Sequence, residues 1–184
     1  LLILADDLGY GDVRCYNTES KVLTPNIDRL ASEGMRFTDA HSPATVCTPS
    51  RYSLMTGQMS FRVPNGGTVF QGAGGPSLIA PGRLTLPAML RKQGYVTAAV
   101  GKWHVGLTFR DKAGEPIHQG GLEDVRRIDF TRLVEGGPLD HGFDRFFGTA
   151  CCPTTDWLYA FIEGDRIPVP PTAPLDRSKL PKHP

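Results

Sequence analysis

The stretch Thr85-Leu86-Pro87-Ala88-Met89-Leu90-Arg91-Lys92-Gln93-Gly94-Tyr95-Val96-Thr97-Ala98-Ala99-Val100-Gly101-Lys102-Trp103-His104 reads as a helix, a stop, a strand and a polar cluster in succession. Thr85 is an N-cap residue type, Pro87 suits a first turn and Gly94 a stop, which predicts a helix over 86–93. The apolar run from Tyr95 to Val100 predicts a short strand. Lys102 and His104 then stand at that strand's carboxyl end. They are two apart, so an extended backbone would point them the same way and turn Trp103 to the opposite side to pack. Helix and strand in alternation, with polar groups where a strand ends, predict an α/β fold with a mainly parallel sheet flanked by helices.

The same grammar extends outward. Leu1 to Ala5 reads as a strand already under way, without an initiator methionine, so the N-terminus looks trimmed and any targeting segment lost with it. A Gly-rich polar loop, Asp6 to Asn17, follows. Thr24, Pro25 and Gly34 frame a helix over 24–33 with Ile27, Leu30 and Ala31 as its apolar stripe. Residues 35–41 read as a strand. Thr48 and Pro49 open another helix, which Gly57 ends. Residues 58–83 are a long Gly- and Pro-rich loop, of the kind that is functional or mobile in compact domains. Residues 107–140 are polar and irregular. Leu158 to Val169 reads as a hairpin turning at Glu163-Gly164-Asp165. Six prolines fall in 168–184, which predicts an extended tail or linker after a domain over 1–167. No internal repeat is found.

Bulk properties exclude some partners. A net charge of +1 argues against nucleic acid or an anionic membrane surface, and no apolar run is long enough to span a bilayer. A hydrophobic content of 40% in 184 residues is enough for one real core. The four cysteines, Cys15, Cys47, Cys151 and Cys152, have neither zinc spacing nor a disulfide-scaffold pattern. Adjacent Cys151 and Cys152 are poorly placed to bond to each other. No Asn-x-Ser/Thr sequon is present.

Three clusters carry chemistry. Cys47-Thr48-Pro49-Ser50-Arg51 sets a cysteine just ahead of a helix start and an arginine about one turn beyond it. The helix dipole and free amides there favour a thiolate nucleophile, whereas the bland reading of a cysteine is a small buried hydrophobe. Adjacent Asp6 and Asp7 repel, so they suit either a hard cation, Ca²⁺ or Mg²⁺ rather than zinc, or a solvated loop. Lys102 offers a point charge for an anion and His104 a base near neutral pH, the bland alternative being a basic loop.

Cys47-x-Pro49-Ser50-Arg51, Asp6-Asp7 and Gly101-Lys102-Trp103-His104, in that arrangement along residues 1 to about 165, resemble the sulfatase family. The resemblance implies an alkaline-phosphatase-like fold, here incomplete, and hydrolysis of a sulfate monoester of a carbohydrate or an aryl alcohol. It implies that a maturation enzyme reading Pro49 and Arg51 oxidises Cys47 to formylglycine. One oxygen of the hydrated aldehyde would attack sulfur, and loss of the other hydroxyl's proton would expel sulfate from the hemiester. Arg51 would stabilise the diol and metal site. Lys102 would contact sulfate and diol, and His104 would take the diol proton. Asp6 and Asp7, together with residue 47, would bind calcium (magnesium being possible), which acts as Lewis acid and template. An extracytoplasmic location is implied as well.

Family members are more than twice this long. The second metal-binding pair, a second sulfate-binding lysine and the histidine that protonates the leaving alcohol have no match, so the expectation is the front part of a longer enzyme. Two other functions fit the same residues: a phosphonate or phosphodiester hydrolase of the same superfamily, or a truncated inactive domain that binds anions. Asp140-His141 imitates a metal pair, but the following Gly142-Phe143-Asp144 matches a structural segment of the family. His41 is expected to pack near the cysteine loop. His118 and His183 should be solvated. Asp156 and Trp157 suit either the border of a sugar pocket or a strand edge, the latter being preferred.

Overall fold

The computed structural model describes residues 1–153 and 156–175. His183 and the tail from 176 onward lie outside the described residues. The chain divides into two compact units, Leu1–Ser42 and Pro43–Pro184. The proposed domain limit at 167/168 rests on proline content alone.

In the first unit a single 3-10 turn, Tyr10–Asp12, precedes helix α1, Pro25–Glu33. Thr24 stands at the N-cap position, but its hydroxyl makes no capping bond. Its Oγ1 instead accepts from the Arg14 amide (3.0 Å) and donates to Asp28 Oδ1 (3.0 Å). Asp28 also accepts from the Cys15 amide at 2.8 Å, so the first turn of α1 is tied to the preceding loop. Neither predicted strand of this unit forms. Leu1–Ala5 and 35–41 have no ladder partner among the described residues, and Leu1 to Leu4 are exposed. A strand is completed by its neighbour's amides and carbonyls, which an apolar run cannot supply for itself.

The second unit carries the sheet. Helix α2, Cys47–Thr56, ends at Gly57, whose left-handed backbone (φ 65°) directs its amide back to the Ser53 carbonyl. Helix α3, Leu86–Lys92, packs on α2. The Thr85 hydroxyl caps α3 by accepting from the Ala88 amide (3.3 Å), with a proline in the first turn, as the sequence predicts. Strand β1, Ala98–Lys102, begins three residues later than the apolar run suggests. Thr97 is held by Asp144, which accepts from its amide at 2.8 Å, and only beyond this clamp does pairing start. Strands β2, Phe109–Arg110, and β3, Pro116–Ile117, form a separate antiparallel pair. Helix α4, Leu122–Arg127, lies in the segment read as irregular. It opens on Gly121 with no side-chain cap, so its only local signals are Glu123 and Asp124 in the first turn and Arg126 and Arg127 in the last.

Strand β4, Arg145–Thr149, runs parallel to β1 with Lys102 opposite Thr149. Strand β5, Ile162–Glu163, joins β4 antiparallel and returns through the predicted turn at Gly164. The α/β class holds, and the three-stranded sheet, in the order β1-β4-β5, is mixed. Near its end, β1 approaches β4 at paired glycines, where a Cβ on Gly148 would meet the Gly101 carbonyl at 1.7 Å. Val105, Leu107, Phe109, Ile117, Phe146 and Ile162 fill the core behind these strands.

Candidate active site

Parallel pairing puts the carboxyl ends of β1 and β4 side by side, and their continuations stay in register. The amides of Trp103 and His104 donate to the carbonyls of Thr149 and Ala150, both at 2.9 Å. Lys102 is the last residue of β1, while Cys151 and Cys152 follow β4. Helix α2 presents its first residue, Cys47, to the same place. The Arg51 guanidinium, one turn on, donates to the Lys102 carbonyl at 2.5 Å and ties the helix to the strand end.

His104 does not continue the extended backbone. It adopts a left-handed conformation (φ 56°), unusual for a residue with a Cβ and typical of sites where geometry is imposed from outside. This turn, rather than simple alternation, brings Lys102 and His104 to one point. The Lys102 ammonium donates to Cys152 Sγ at 3.3 Å, and His104 Nδ1 lies 3.9 Å from the same sulfur. Trp103 turns away and packs as expected: it is buried, donates from Nε1 to the Gly106 carbonyl (2.9 Å) and stacks on His141.

His104 is fully buried, and its Nε2 is 2.6 Å from the Phe70 carbonyl. A carbonyl only accepts, so Nε2 bears the hydrogen. In the neutral ring Nδ1 then keeps a lone pair directed toward the cysteines. Burial is the main cause that pushes the imidazole below its ordinary value near 6.5. The charges of Lys102 and Arg51 push the same way, against the opposing Phe70 carbonyl and Asp156. The ring is therefore neutral and able to take a proton at neutral pH. One ligand-type atom each from Cys47, His104 and Cys152 lies within 4.8 Å of the others.

Sequence reading did not single out Cys152, and it weighed Asp156 as a pocket border but preferred a strand edge. Asp156 is buried, not at a strand edge, and its carboxylate accepts from the Cys152 amide at 3.0 Å. Trp157 is half-buried and packs against the core. Cys151 points into the interior, and desolvation pushes its thiol far up. The usable signal was that the Cys151-Cys152 pair follows an apolar run at a second strand end.

Asp6 and Asp7 belong to the first unit, on an exposed bend where Asp7 is left-handed (φ 57°). Asp12 ends the 3-10 turn within the predicted loop, and its carboxylate accepts from the Gly9 amide at 2.8 Å. His41 differs from expectation: it is exposed and lies 2.6 Å from Asp39 rather than packed. His118 is exposed. Asp140 and His141 take structural parts. Asp140 accepts from the Gly137 amide, and buried His141 bonds Ser77 Oγ at 2.9 Å.

The chain is also similar to several known proteins. The human arylsulfatase D is 38% identical over 160 residues, covering 85% of this chain and 24% of that protein. The N-acetylgalactosamine-6-O-sulfatase of Bacteroides thetaiotaomicron is 46% identical over 116 residues, 58% of this chain and 20% of that protein. A solved structure from work on glycosaminoglycan metabolism by Bacteroides thetaiotaomicron superposes with a TM-score of 0.71 at 34% identity, covering 88% of this chain and 30% of that one. The chain thus spans about a quarter of the length of the curated relatives it matches. Residues 1–162 match the Sulfatase family as a whole, and the chain belongs to the sulfatase family.

Proposed function

We propose that this chain carries the nucleophile end of a sulfate monoester hydrolase, acting on a sulfated carbohydrate or an aryl sulfate. The observation that supports this most is the convergence of helix α2 and the ends of β1 and β4. There, Cys47, Arg51, Lys102 and His104 share one neighbourhood, with a buried neutral imidazole beside two cations. The singly charged oxyanion of a sulfate monoester matches that positive field. The arylsulfatase and carbohydrate sulfatase names of the relatives favour the same substrate class.

Cys47, read as the precursor of formylglycine made by a maturation enzyme, would supply a hydrated-aldehyde oxygen as nucleophile. Its place at the first residue of α2 sets it at the positive end of the helix dipole, which favours an anion there. Arg51 holds the Lys102 carbonyl and so fixes the strand end from which the ammonium reaches. Lys102 would steady a sulfate oxygen. His104 would accept a proton at Nδ1, its Nε2 hydrogen being committed to Phe70. Asp6 and Asp7 offer only oxygen donors on an exposed bend, which fits a hard cation such as Ca²⁺ or Mg²⁺. That cation would supply Lewis-acid polarisation of the sulfate ester. An extracytoplasmic site of action goes with this reading. No helix among the described residues is long and apolar enough to cross a membrane.

The test is made on protein co-produced with a formylglycine-generating enzyme. Mass spectrometry of the Cys47 peptide should show CH₂SH replaced by CHO, and aryl sulfate should be hydrolysed faster than aryl phosphate. Cys47→Ala should lose more than about 10³-fold in kcat, as when other covalent nucleophiles are removed. An intact thiol with no turnover would favour the anion-binding alternative. A phosphate ester preferred by orders of magnitude would move the substrate class to phosphorus.

A further inference from the structure

We propose that, while residue 47 is still a thiol, Cys47, Cys152 and His104 form a binding site for a soft divalent cation, zinc above all. The three donor atoms lie within 4.8 Å of one another, and the His104 Nδ1 to Cys152 Sγ distance is 3.9 Å. Zinc held tetrahedrally at about 2.3 Å from sulfur and 2.0–2.1 Å from nitrogen sets ligand separations of about 3.5–3.8 Å. Side-chain rotations closing the gaps by about 1 Å therefore complete the geometry.

Several features beyond proximity suit a metal. The histidine is already in the required tautomer, because its Nε2 hydrogen is held by the Phe70 carbonyl, as the outer partner of a ligating imidazole normally holds it. Lys102 donates to Cys152 Sγ at 3.3 Å, an N–H···S bond that offsets part of a coordinated thiolate's charge. Cys47 and Cys152 are half-buried, so a fourth position stays open to water, the pattern of a three-ligand zinc site. The donors are two sulfurs and a nitrogen, a set that selects zinc over calcium or magnesium. A second group, His104 with Cys151 and Asp156, shares the histidine. Its sulfur is buried and its carboxylate is already engaged by the Cys152 amide, which favours the Cys47 group.

The inference stands apart from the hydrolase reading, because it concerns the unconverted thiol. Oxidation of Cys47 to an aldehyde would remove one soft ligand, so the two forms of the protein would take different cations at this place.

The experiment uses reduced, metal-free protein made without a formylglycine-generating enzyme. Zinc chloride is titrated against a chromophoric chelator, and cobalt(II) is added separately as a spectroscopic stand-in. The expected result is one zinc per chain and a thiolate-to-cobalt charge-transfer band in the near ultraviolet. Cys47→Ser and Cys152→Ser should each weaken zinc more than about 100-fold, since losing even an outer-shell partner costs about 10–100-fold. Cys15→Ser, in the first unit, should leave zinc affinity unchanged. The proposal is overturned if the unaltered chain shows no cobalt charge-transfer band, or if either site variant keeps its zinc affinity. Failure of a variant to fold leaves the first criterion decisive.

Discussion

Leu30 and Leu107 are the same residue in two regions that use it differently. Leu30, on the apolar stripe of α1 in the first unit, is 69% exposed, whereas Leu107 in the second unit is 1% exposed. The contrast is general. Val13 is the sole buried hydrophobic residue of Leu1–Ser42, while the second unit holds the whole interconnected core. Both regions have hydrophobic sequence and both form helices. Burial, and with it the strands, is achieved where chain segments far apart in sequence meet, as at the β1-β4 pairing. An amphipathic pattern therefore marks a face able to bury, and tertiary partners decide whether it does.

The largest expected effect follows directly from that pair. Leu107→Ala should destabilise the second unit by about 2–5 kcal/mol, through lost transfer energy and the cavity left behind. Leu30→Ala removes little buried area and places the best helix former in α1, so its effect should stay within about 0.5 kcal/mol. Thermal or urea unfolding of the two variants measures both. Equal losses would mean that the first unit depends on burial as much as the second.

A second, smaller effect separates the regions by pH. His104 and His141, both in the second unit, are held below their ordinary pKa chiefly by burial. Such groups bind fewer protons folded than unfolded. Their contribution is neutral above about 6.5, where both states are deprotonated. As the pH falls below that value the unfolded chain takes up protons first, so stability declines until the folded rings titrate too. Stability measured from pH 8 to 5 should fall, and His104→Gln should flatten part of the slope. The acid limb of kcat/KM should lie below pH 6.5 for the same reason, because His104 stays an unprotonated base there. A slope that His104→Gln leaves unchanged would place the proton uptake elsewhere.

Much of the helical structure was legible because its signals are local. The Thr85 cap, the proline in the first turn of α3 and the glycine ending α2 each act within one turn of backbone. Strands were legible only as apolar runs. The start of β1 at Ala98 is set by the clamp between Thr97 and Asp144, residues 47 positions apart, and no window of sequence contains both. The site divides in the same way. Cys47, Arg51, Lys102 and His104 were singled out as candidates from motifs that resemble those of the sulfatase family. Cys152 was not, because its approach to Lys102 follows from the parallel register that sets Lys102 opposite Thr149. The left-handed turn at His104 was equally invisible, since a non-glycine residue gives no advance sign of positive φ.

The smallest effect tests the local side of the comparison. Two helices end on glycine, but only one needs it for the same reason. Gly57, after α2, sits at φ 65° with nothing within 4 Å of where a Cβ would stand, so an added methyl meets no neighbour and only the left-handed backbone resists it. Gly34, after α1, has φ −126°, outside the left-handed region, but a Cβ there would touch the Leu30 carbonyl at 3.0 Å. Gly57→Ala should therefore cost about 1–2 kcal/mol, the price of a left-handed L-residue, and Gly57→Asn should recover part of it because asparagine tolerates that conformation. Gly34→Ala should show no such rescue by asparagine, since its obstacle is contact rather than torsion. Unfolding midpoints of the four variants separate the two causes. If asparagine rescues neither site, backbone handedness does not decide how α2 stops.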